Sequence, residues 1–269
     1  MRAAAFRLLA ARSHVSAAAV VASRRLALAV FVVVLAPAEA SGVFTDRAGL
    51  KAAVDDLATA EATHGPIAGW DVSRVDDMSQ LFAYKTTFNG DIGAWDTSQV
   101  TDLSGAFKMS ESWNRQPSNF NRPLVWDTSQ VTNLQSAFKG ADAFNSELAW
   151  DTSKVKSMYV TFESAKAFDK PLAWDTSSVT DMGATFSSAT AFNSQLTWDT
   201  SKVTTMKNTF YVAEAFNSEL AWDMSKVTDM YGTFLSAEAF NRPLDWDTSK
   251  VTNMEGTFWG AEAFNQQLD

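Results

Sequence analysis

The stretch Trp150-Asp151-Thr152-Ser153-Lys154-Val155 begins a 24-residue unit that recurs along most of the 269-residue chain. The tryptophans that open the units are Trp70, Trp95, Trp126, Trp150, Trp174, Trp198, Trp222 and Trp246. The last six follow one another at intervals of 24 residues, whereas the first two intervals are 25 and 31 residues long. A fixed period of this length predicts a repeat architecture in which each unit packs against its neighbours.

Within one unit, the apolar residues predict a short helix followed by a short strand. In the last unit, spacings of three and four residues predict one face of a helix made of Val251, Met254, Phe258 and Ala261. Thr248 or Ser249 is the expected N-cap of that helix. The piece from Phe264 to Leu268 lacks helical spacing and predicts a brief strand. The sequence therefore predicts an α/β solenoid of about eight coils.

Stacked units bury apolar faces that one unit cannot bury alone, so the repeats predict columns of identical side chains. Each buried Phe or Leu then contributes about 1.5–3 kcal/mol. Two columns consist of phenylalanine and a third of leucine or isoleucine. They are Phe82, Phe107, Phe138, Phe162, Phe186, Phe210, Phe234 and Phe258; Phe88, Phe120, Phe144, Phe168, Phe192, Phe216, Phe240 and Phe264; and Ile92, Leu124, Leu148, Leu172, Leu196, Leu220, Leu244 and Leu268.

The first 40 residues have the composition of a secretory signal peptide. They contain five arginines and one acid, and an apolar run over 26–36 is followed by Ala38-Glu39-Ala40, which predicts cleavage after Ala40. The apolar run is shorter than the roughly 20 residues that span a bilayer. An organelle transit peptide is the alternative. The protein is thus expected to be secreted or at the cell surface, or otherwise sent to an organelle.

The mature chain divides into a capping segment, 41–66, and a repeat region, 67–269, with an inserted loop near 108–119. Apolar residues at helical spacing predict an amphipathic helix from Asp46, with Thr45 or Asp46 as its cap, to about Ala60. We expect this helix to cover the open end of the first unit. The chain stops at Asp269 without a second capping segment, and we expect truncation there. The protein is then a monomer unless another chain covers the last coil.

Charge and residue types argue against several classes of function. Removing residues 1–40 leaves 17 basic and 30 acidic residues, and such an acidic chain lacks the basic patch that nucleic acid or an anionic membrane requires. The chain has no cysteine, and the mature part contains a single histidine, His64. The sequence contains no cysteine nucleophile, no His-Glu metal motif and no glycine-rich phosphate loop. We therefore expect no catalytic residue, no metal and no cofactor, and a non-enzymatic protein.

Three invariant rows of the repeat each allow a structural and a functional interpretation. The Asp row that follows the tryptophans accepts backbone N–H groups at a corner, or alternatively binds calcium. The row from Asn89 to Asn265 forms an asparagine ladder, or alternatively binds sugars. The Trp row is a corner of the core, or alternatively an exposed aromatic stripe. We expect the structural role in each case. One acid per corner is too few for a calcium loop, backbone groups at the corners need hydrogen-bond partners, and the constant spacing of the tryptophans favours the core.

Variation among the units suggests a binding face. The two positions before the ladder leucine vary most, and we expect them beside the strand, where they form one polar face along the stack. The inserted loop adds an aromatic and a basic residue that belong to no row. The candidate binding residues are Trp113, Arg115, Glu147, Lys170, Gln195, Glu219 and Arg242.

The repeats resemble a known family. The phrases Trp70-Asp71-Val72-Ser73-Arg74-Val75-Asp76-Asp77-Met78 and Trp95-Asp96-Thr97-Ser98-Gln99-Val100-Thr101 are similar to those of the BspA-like leucine-rich-repeat surface proteins, also known as mycoplasma lipoprotein-associated repeats. The lipid-bearing cysteine of lipoprotein members has no counterpart here. The resemblance covers 65–269 and implies a leucine-rich-repeat-like right-handed solenoid, exported for adhesion or protein binding.

The function predicted from the sequence is therefore binding of a protein or glycan partner through an extended solenoid face. Two other classes stay open. One is a calcium-dependent structural or wall-associated repeat protein. The other is a glycan-cleaving enzyme built on the same scaffold.

Overall fold

The computed structural model describes residues 42–109 and 116–267, all within one compact unit of the chain. The predicted signal peptide lies outside the described residues, and so do Trp113, Arg115 and Leu268. Below, each repeat is called a coil, and its residues are numbered by position from its tryptophan, which is position 1.

Two helices precede the coils. Helix α1 spans Arg47–Asp55, and Asp46 caps it by accepting a hydrogen bond from the backbone N–H of Gly49 at 2.8 Å. Helix α2 spans Leu57–His64, so the segment predicted as one helix contains two. Between them Asp56 has φ −118° and ψ 60°, which is outside the helical region and separates the two helices. A short 3-10 helix, Ile67–Gly69, leads into the first coil.

The N-terminal segment packs against the first coil. Leu50 and Val54 of α1 are buried and belong to the same apolar core as the repeats. Just before α1, the backbone around Val43 pairs in parallel with Asp71. The Arg47 side chain also donates to the Ser79 carbonyl at 2.7 Å. These contacts cover one end of the core with polar-faced helices.

Consecutive coils lie in register and are joined by hydrogen bonds between their backbones. A parallel bridge at position 8 links each coil to the next, in the order Asp77, Asp102, Asn133, Ser157, Asp181, Thr205, Asp229 and Asn253. Each bridge involves one residue per coil, and the described residues contain no longer strand. The bridges do not fall in the Phe-Asn-x-x-Leu piece, where the sequence predicted the strand.

The helix predicted in each coil is also absent from the described repeats. Instead, backbone N–H groups at positions 9, 11 and 13 donate to the next coil, as in Met158 to Asp181 (2.9 Å) and Val160 to Gly183 (2.8 Å). The N–H groups at positions 12 and 14 donate three residues back, as in Thr161 to Met158. The N–H group at position 10 donates to the side chain at position 8, as in Gly183 to Asp181. These tight turns place apolar residues three and four positions apart on one side, which explains why the sequence looks helical.

This backbone requires left-handed residues at positions 11 and 15. They are glycine in several coils, but elsewhere they include Val160 (φ 51°), Ala184 (φ 50°) and Val212 (φ 53°). A left-handed residue that bears a Cβ costs roughly 1–2 kcal/mol. The hydrogen bonds between coils hold this unfavourable backbone in place.

The core consists of stacked aromatic columns. Rings at position 13 stack on the next coil at 5.3 to 5.8 Å between centroids, as between Phe82 and Phe107 and between Phe186 and Phe210. Inside each coil, the phenylalanine at position 13 also stacks on that of the Phe-Asn piece, which is at position 19 except in the Trp95 coil with its insertion. The distance is 4.2 Å for Phe162 and Phe168. The tryptophan column runs alongside, at 6.2 Å for Trp150 and Trp174. Identical side chains therefore meet one layer away, as the period predicts.

Candidate functional site

The invariant Asp row at position 2 is engaged at the corner of each coil. Its Oδ1 atom accepts from the backbone N–H of the serine two residues later, at 3.0 Å in Asp151 and 2.9 Å in Asp199. Ser153 lowers the pKa of Asp151, first through its backbone N–H and then through its hydroxyl. Ser201 lowers the pKa of Asp199, first through its hydroxyl and then through its backbone N–H. The predicted structural role of the row is confirmed.

The asparagine row forms the expected ladder. The Asn193 side-chain oxygen accepts the backbone N–H of Asn217 at 2.7 Å, and Asn217 accepts that of Asn241 at 2.9 Å. Asp169 takes the same place in its coil and accepts the backbone N–H of Asn193. These side chains link successive coils, so the row is used for structure.

The tryptophan row lies in the core, as expected. Trp150, Trp174 and Trp198 are buried, and their indole N–H groups donate to carbonyl oxygens of Leu124, Leu148 and Leu172 at 3.1 to 3.2 Å. The buried indole N–H of Trp222 is an exception, with no partner among the described residues. The row offers no exposed aromatic stripe in these coils.

Five of the predicted binding residues are described, and they lie at positions 21 and 22. Glu147, Gln195 and Glu219 are exposed, and Lys170 and Arg242 are half-buried. Arg242 donates to the Asn217 carbonyl at 2.7 Å and lies 3.9 Å from Glu219. The expectation that these residues lie beside the strand is wrong, because the bridges fall at position 8. They follow the asparagine row instead.

A second variable surface lies on the bridged part of the coils, and we call it the ladder face. It consists of the side chains at positions 10 and 14. They are Ser79, Ser104, Gln135, Tyr159, Gly183, Lys207, Tyr231 and Glu255 at position 10, and Ala83, Lys108, Lys139, Glu163, Ser187, Tyr211, Leu235 and Trp259 at position 14. All but the small Ala83, Gly183 and Ser187 are half-buried or exposed. This surface changes chemistry from coil to coil on a constant backbone.

Side chains of the ladder face contact their equivalents in the next coil. The Lys139 ammonium lies 2.9 Å from the Glu163 carboxylate, and the Lys207 ammonium lies 5.2 Å from the centroid of the Tyr231 ring. In the first three coils, positions 8, 10, 11 and 14 line one polar depression of about 240 Å³, which includes Ser104, Lys108 and Gln135. Positions 10 and 14 thus share one continuous surface.

The sequence contained a signal for this surface. The statement that positions 21 and 22 vary most is wrong, because positions 10 and 14 vary at least as much. On the helix predicted from the sequence, positions 10 and 14 lie away from the apolar face. With the backbone paired between coils, the same variation marks an extended surface. Repeat proteins commonly use such surfaces to bind partners.

The described residues contain no group of three or more His, Asp or Glu side chains arranged to hold a metal ion. Within the same ranges, no helix is long and apolar enough to cross a membrane. His64 lies at the end of α2, 5.5 Å from the Phe44 ring, and its buried Nδ1 has no hydrogen-bond partner within 42–109 and 116–267.

Comparison with known proteins gives one family and no individual relative. No curated protein and no solved structure matches the chain. A family profile described as "Mycoplasma protein of unknown function, DUF285" matches three consecutive segments, 50–125, 115–197 and 195–269. Because these matches together span nearly all of the coils and most of the chain, the protein belongs to the DUF285 family.

Proposed function

We propose that this chain is an exported, non-catalytic protein that binds a protein or glycan partner through the ladder face. In this proposal the coils form a right-handed, leucine-rich-repeat-like solenoid of the BspA-like kind. Export is supported by the basic and apolar composition of residues 1–40. The family itself is described as having unknown function, so the binding role depends on the surface of this chain.

One observation carries the proposal: the constant polar side chains are occupied within the scaffold, whereas the variable ones project from it. Asp, Asn and Thr of the repeat bond to backbone groups, as in Thr185, whose hydroxyl contacts the Met158 and Met182 carbonyls at 3.0 and 2.7 Å. The ladder face combines tyrosine, leucine, tryptophan and lysine in varied order. A surface that varies on a constant scaffold is expected where recognition occurs.

The test is a binding screen of the purified full chain against panels of extracellular proteins and polysaccharides. We expect saturable binding to at least one macromolecule. Replacing Tyr159, Lys207 and Tyr231 with serine should weaken that binding at least tenfold. The matched control carries three substitutions on the constant corner, Asp151→Asn, Asp175→Asn and Asp199→Asn, and should bind as the wild type does.

Two results would contradict this function. Turnover of a polysaccharide that is abolished by one Asp or Glu substitution would favour the glycan-cleaving class. A large fall in melting temperature on addition of EDTA would favour the calcium-dependent class, whereas our proposal expects an unchanged melting temperature.

A further inference from the structure

The aromatic residues of the ladder face are concentrated in one part of it. The chain contains four tyrosines, and three of them, Tyr159, Tyr211 and Tyr231, belong to the ladder face of the coils from Trp150 onward. Leu235 and Trp259 follow at position 14, and Trp259 is 74% exposed. We call these five residues, with Gly183 and Lys207, the aromatic strip. The first three coils offer serine, glutamine, alanine and lysine at the same positions.

Tyr159 lies against a glycine of the next coil. A Cβ added to Gly183 would lie 3.0 Å from Cδ2 and 3.3 Å from Cε2 of the Tyr159 ring. The ring therefore occupies the space that a side chain at position 10 would fill, and Tyr159 remains 43% exposed. Lys207 likewise extends over the Tyr231 ring of the following coil. Two pairs of neighbouring coils within the strip are therefore in contact through these side chains.

The dimensions of the strip favour a narrow, elongated ligand. Coils joined by backbone hydrogen bonds lie about 4.8 Å apart, so the strip runs for roughly 19 Å across five coils. Positions 10 and 14 are at most about 13 Å apart. The resulting area is far below the roughly 800 Å² that each partner buries in a typical stable protein complex. An extended peptide prefers a free sheet edge, whereas this strip lies on a face.

The chemistry of the strip favours an uncharged sugar chain. Aromatic rings provide flat apolar surfaces against which the apolar face of a sugar packs. Asp181 and Asp229 at position 8 each use one carboxylate oxygen to accept a backbone N–H, at 2.8 and 3.0 Å. A carboxylate has a second oxygen, which is a further acceptor for a hydroxyl hydrogen. Lys207 is the strip's one basic residue, too few for an anionic polymer.

We infer that the aromatic strip binds a linear, uncharged polysaccharide that lies along the stack of coils. This inference rests on the proposed binding function and narrows its partner to one class. Tyr159 and Tyr231 provide the stacking surfaces, and Gly183 leaves room for the Tyr159 ring.

Isothermal titration calorimetry measures the binding of uncharged oligosaccharides to the purified full chain. The ligands are hexasaccharides of β-1,4-glucan, β-1,3-glucan, β-1,4-xylan and chitin. We expect at least one to bind. Tyr159→Ala and Tyr231→Ala should each weaken binding about tenfold. Tyr84→Ala is the matched control, because Tyr84 is 56% exposed in the first coil, outside the strip, and its loss should leave the affinity unchanged.

Gly183→Ala gives a sharper test, since it adds one methyl group and removes no aromatic ring. The methyl group should displace Tyr159 and weaken oligosaccharide binding several-fold while the melting temperature changes little. Oligosaccharide binding that is equal in all variants, or absent, overturns the inference. If a protein from the screen still binds the chain, the proposed function survives that outcome; if neither sugars nor proteins bind, both fail.

Discussion

Two coils of nearly the same sequence differ sharply in burial. The coil that starts at Trp174 has a neighbour on each side, and its Met182 is fully buried. The coil that starts at Trp246 is the last one described, and its equivalent Met254 is 43% exposed. Phe258 and Phe264 there are only partly buried, whereas Phe186 and Phe192 are fully buried.

The difference shows that the core belongs to pairs of coils rather than to single coils. A phenylalanine makes its full contribution to the free energy of unfolding when identical rings lie on both of its faces. At the end of the stack this contribution is smaller. The stability of such an array is approximately the sum of what each repeat contributes by itself and what each interface between neighbouring repeats contributes. The same substitution should therefore have different effects in the two coils.

The largest contrast is expected for the central phenylalanine. Phe186→Ala removes a fully buried ring that stacks on Phe162 and Phe210 and should lower the free energy of unfolding by about 3–5 kcal/mol. Phe258→Ala removes a partly buried ring with one such neighbour, Phe234, and should cost about 1–2 kcal/mol. Urea unfolding monitored by circular dichroism measures both free-energy changes. Equal costs would contradict an interface-based core.

The asparagine ladder should show the same contrast on a smaller scale. Asn217→Ala leaves the backbone N–H of Asn241 without its acceptor and should cost about 1 kcal/mol. Asn265 stands in the last coil, where no further described coil supplies an N–H, so Asn265→Ala should cost less. Asn217→Asp is the control, because Asp169 performs this role in its own coil. A loss from Asn217→Asp as large as from Asn217→Ala would refute the ladder.

The left-handed positions allow a test with one methyl group. Ala184 has φ 50°, and Gly232 and Gly256 take the same position in the last two coils. Ala184→Gly removes strain of roughly 1–2 kcal/mol and adds unfolded-state entropy of about 0.5–1 kcal/mol, so its net effect should be near zero or stabilising. Ala189→Gly, at a fully buried position without positive φ, should destabilise the chain. Thermal unfolding distinguishes the two variants.

These examples show how much the sequence could predict. The period placed every column of the core, because identical residues at a fixed interval can be buried only by one another. It also placed the asparagine ladder and the buried tryptophans. It did not predict the backbone between Val155 and Ala165, where tight turns linked to the next coil imitate helical spacing. Hydrogen bonds between coils decide that conformation, and residues such as Val160 give no local sign of a left-handed backbone.

For the same reason, the sequence drew attention to positions 21 and 22 rather than to the ladder face. Variation at Tyr159 and Lys207 was as visible as variation at Gln195 and Glu219. On the predicted helix, however, Tyr159 and Lys207 lie away from the apolar face, where variation is expected of any solvated side chain. Which variable positions share the bridged surface depends on pairing between coils, and that pairing has no signature within a single unit.

The smallest expected effect is on how the stability of the fold depends on pH. The lowered pKa of Asp175, caused first by the Ser177 hydroxyl, means that its ionised form stabilises the fold. This stability is present above the unfolded pKa of about 4 and is lost as pH falls through the folded value.

Asn accepts the same corner hydrogen bond and does not titrate. The triple Asp→Asn variant at 151, 175 and 199 should therefore lose less melting temperature between pH 5 and pH 3 than the wild type. At pH 7 the two should be similar, because the exchange also removes repulsion of Asp175 by Asp151 and Asp199. An equal or steeper acid loss in the variant would mean that these corner carboxylates do not couple to stability.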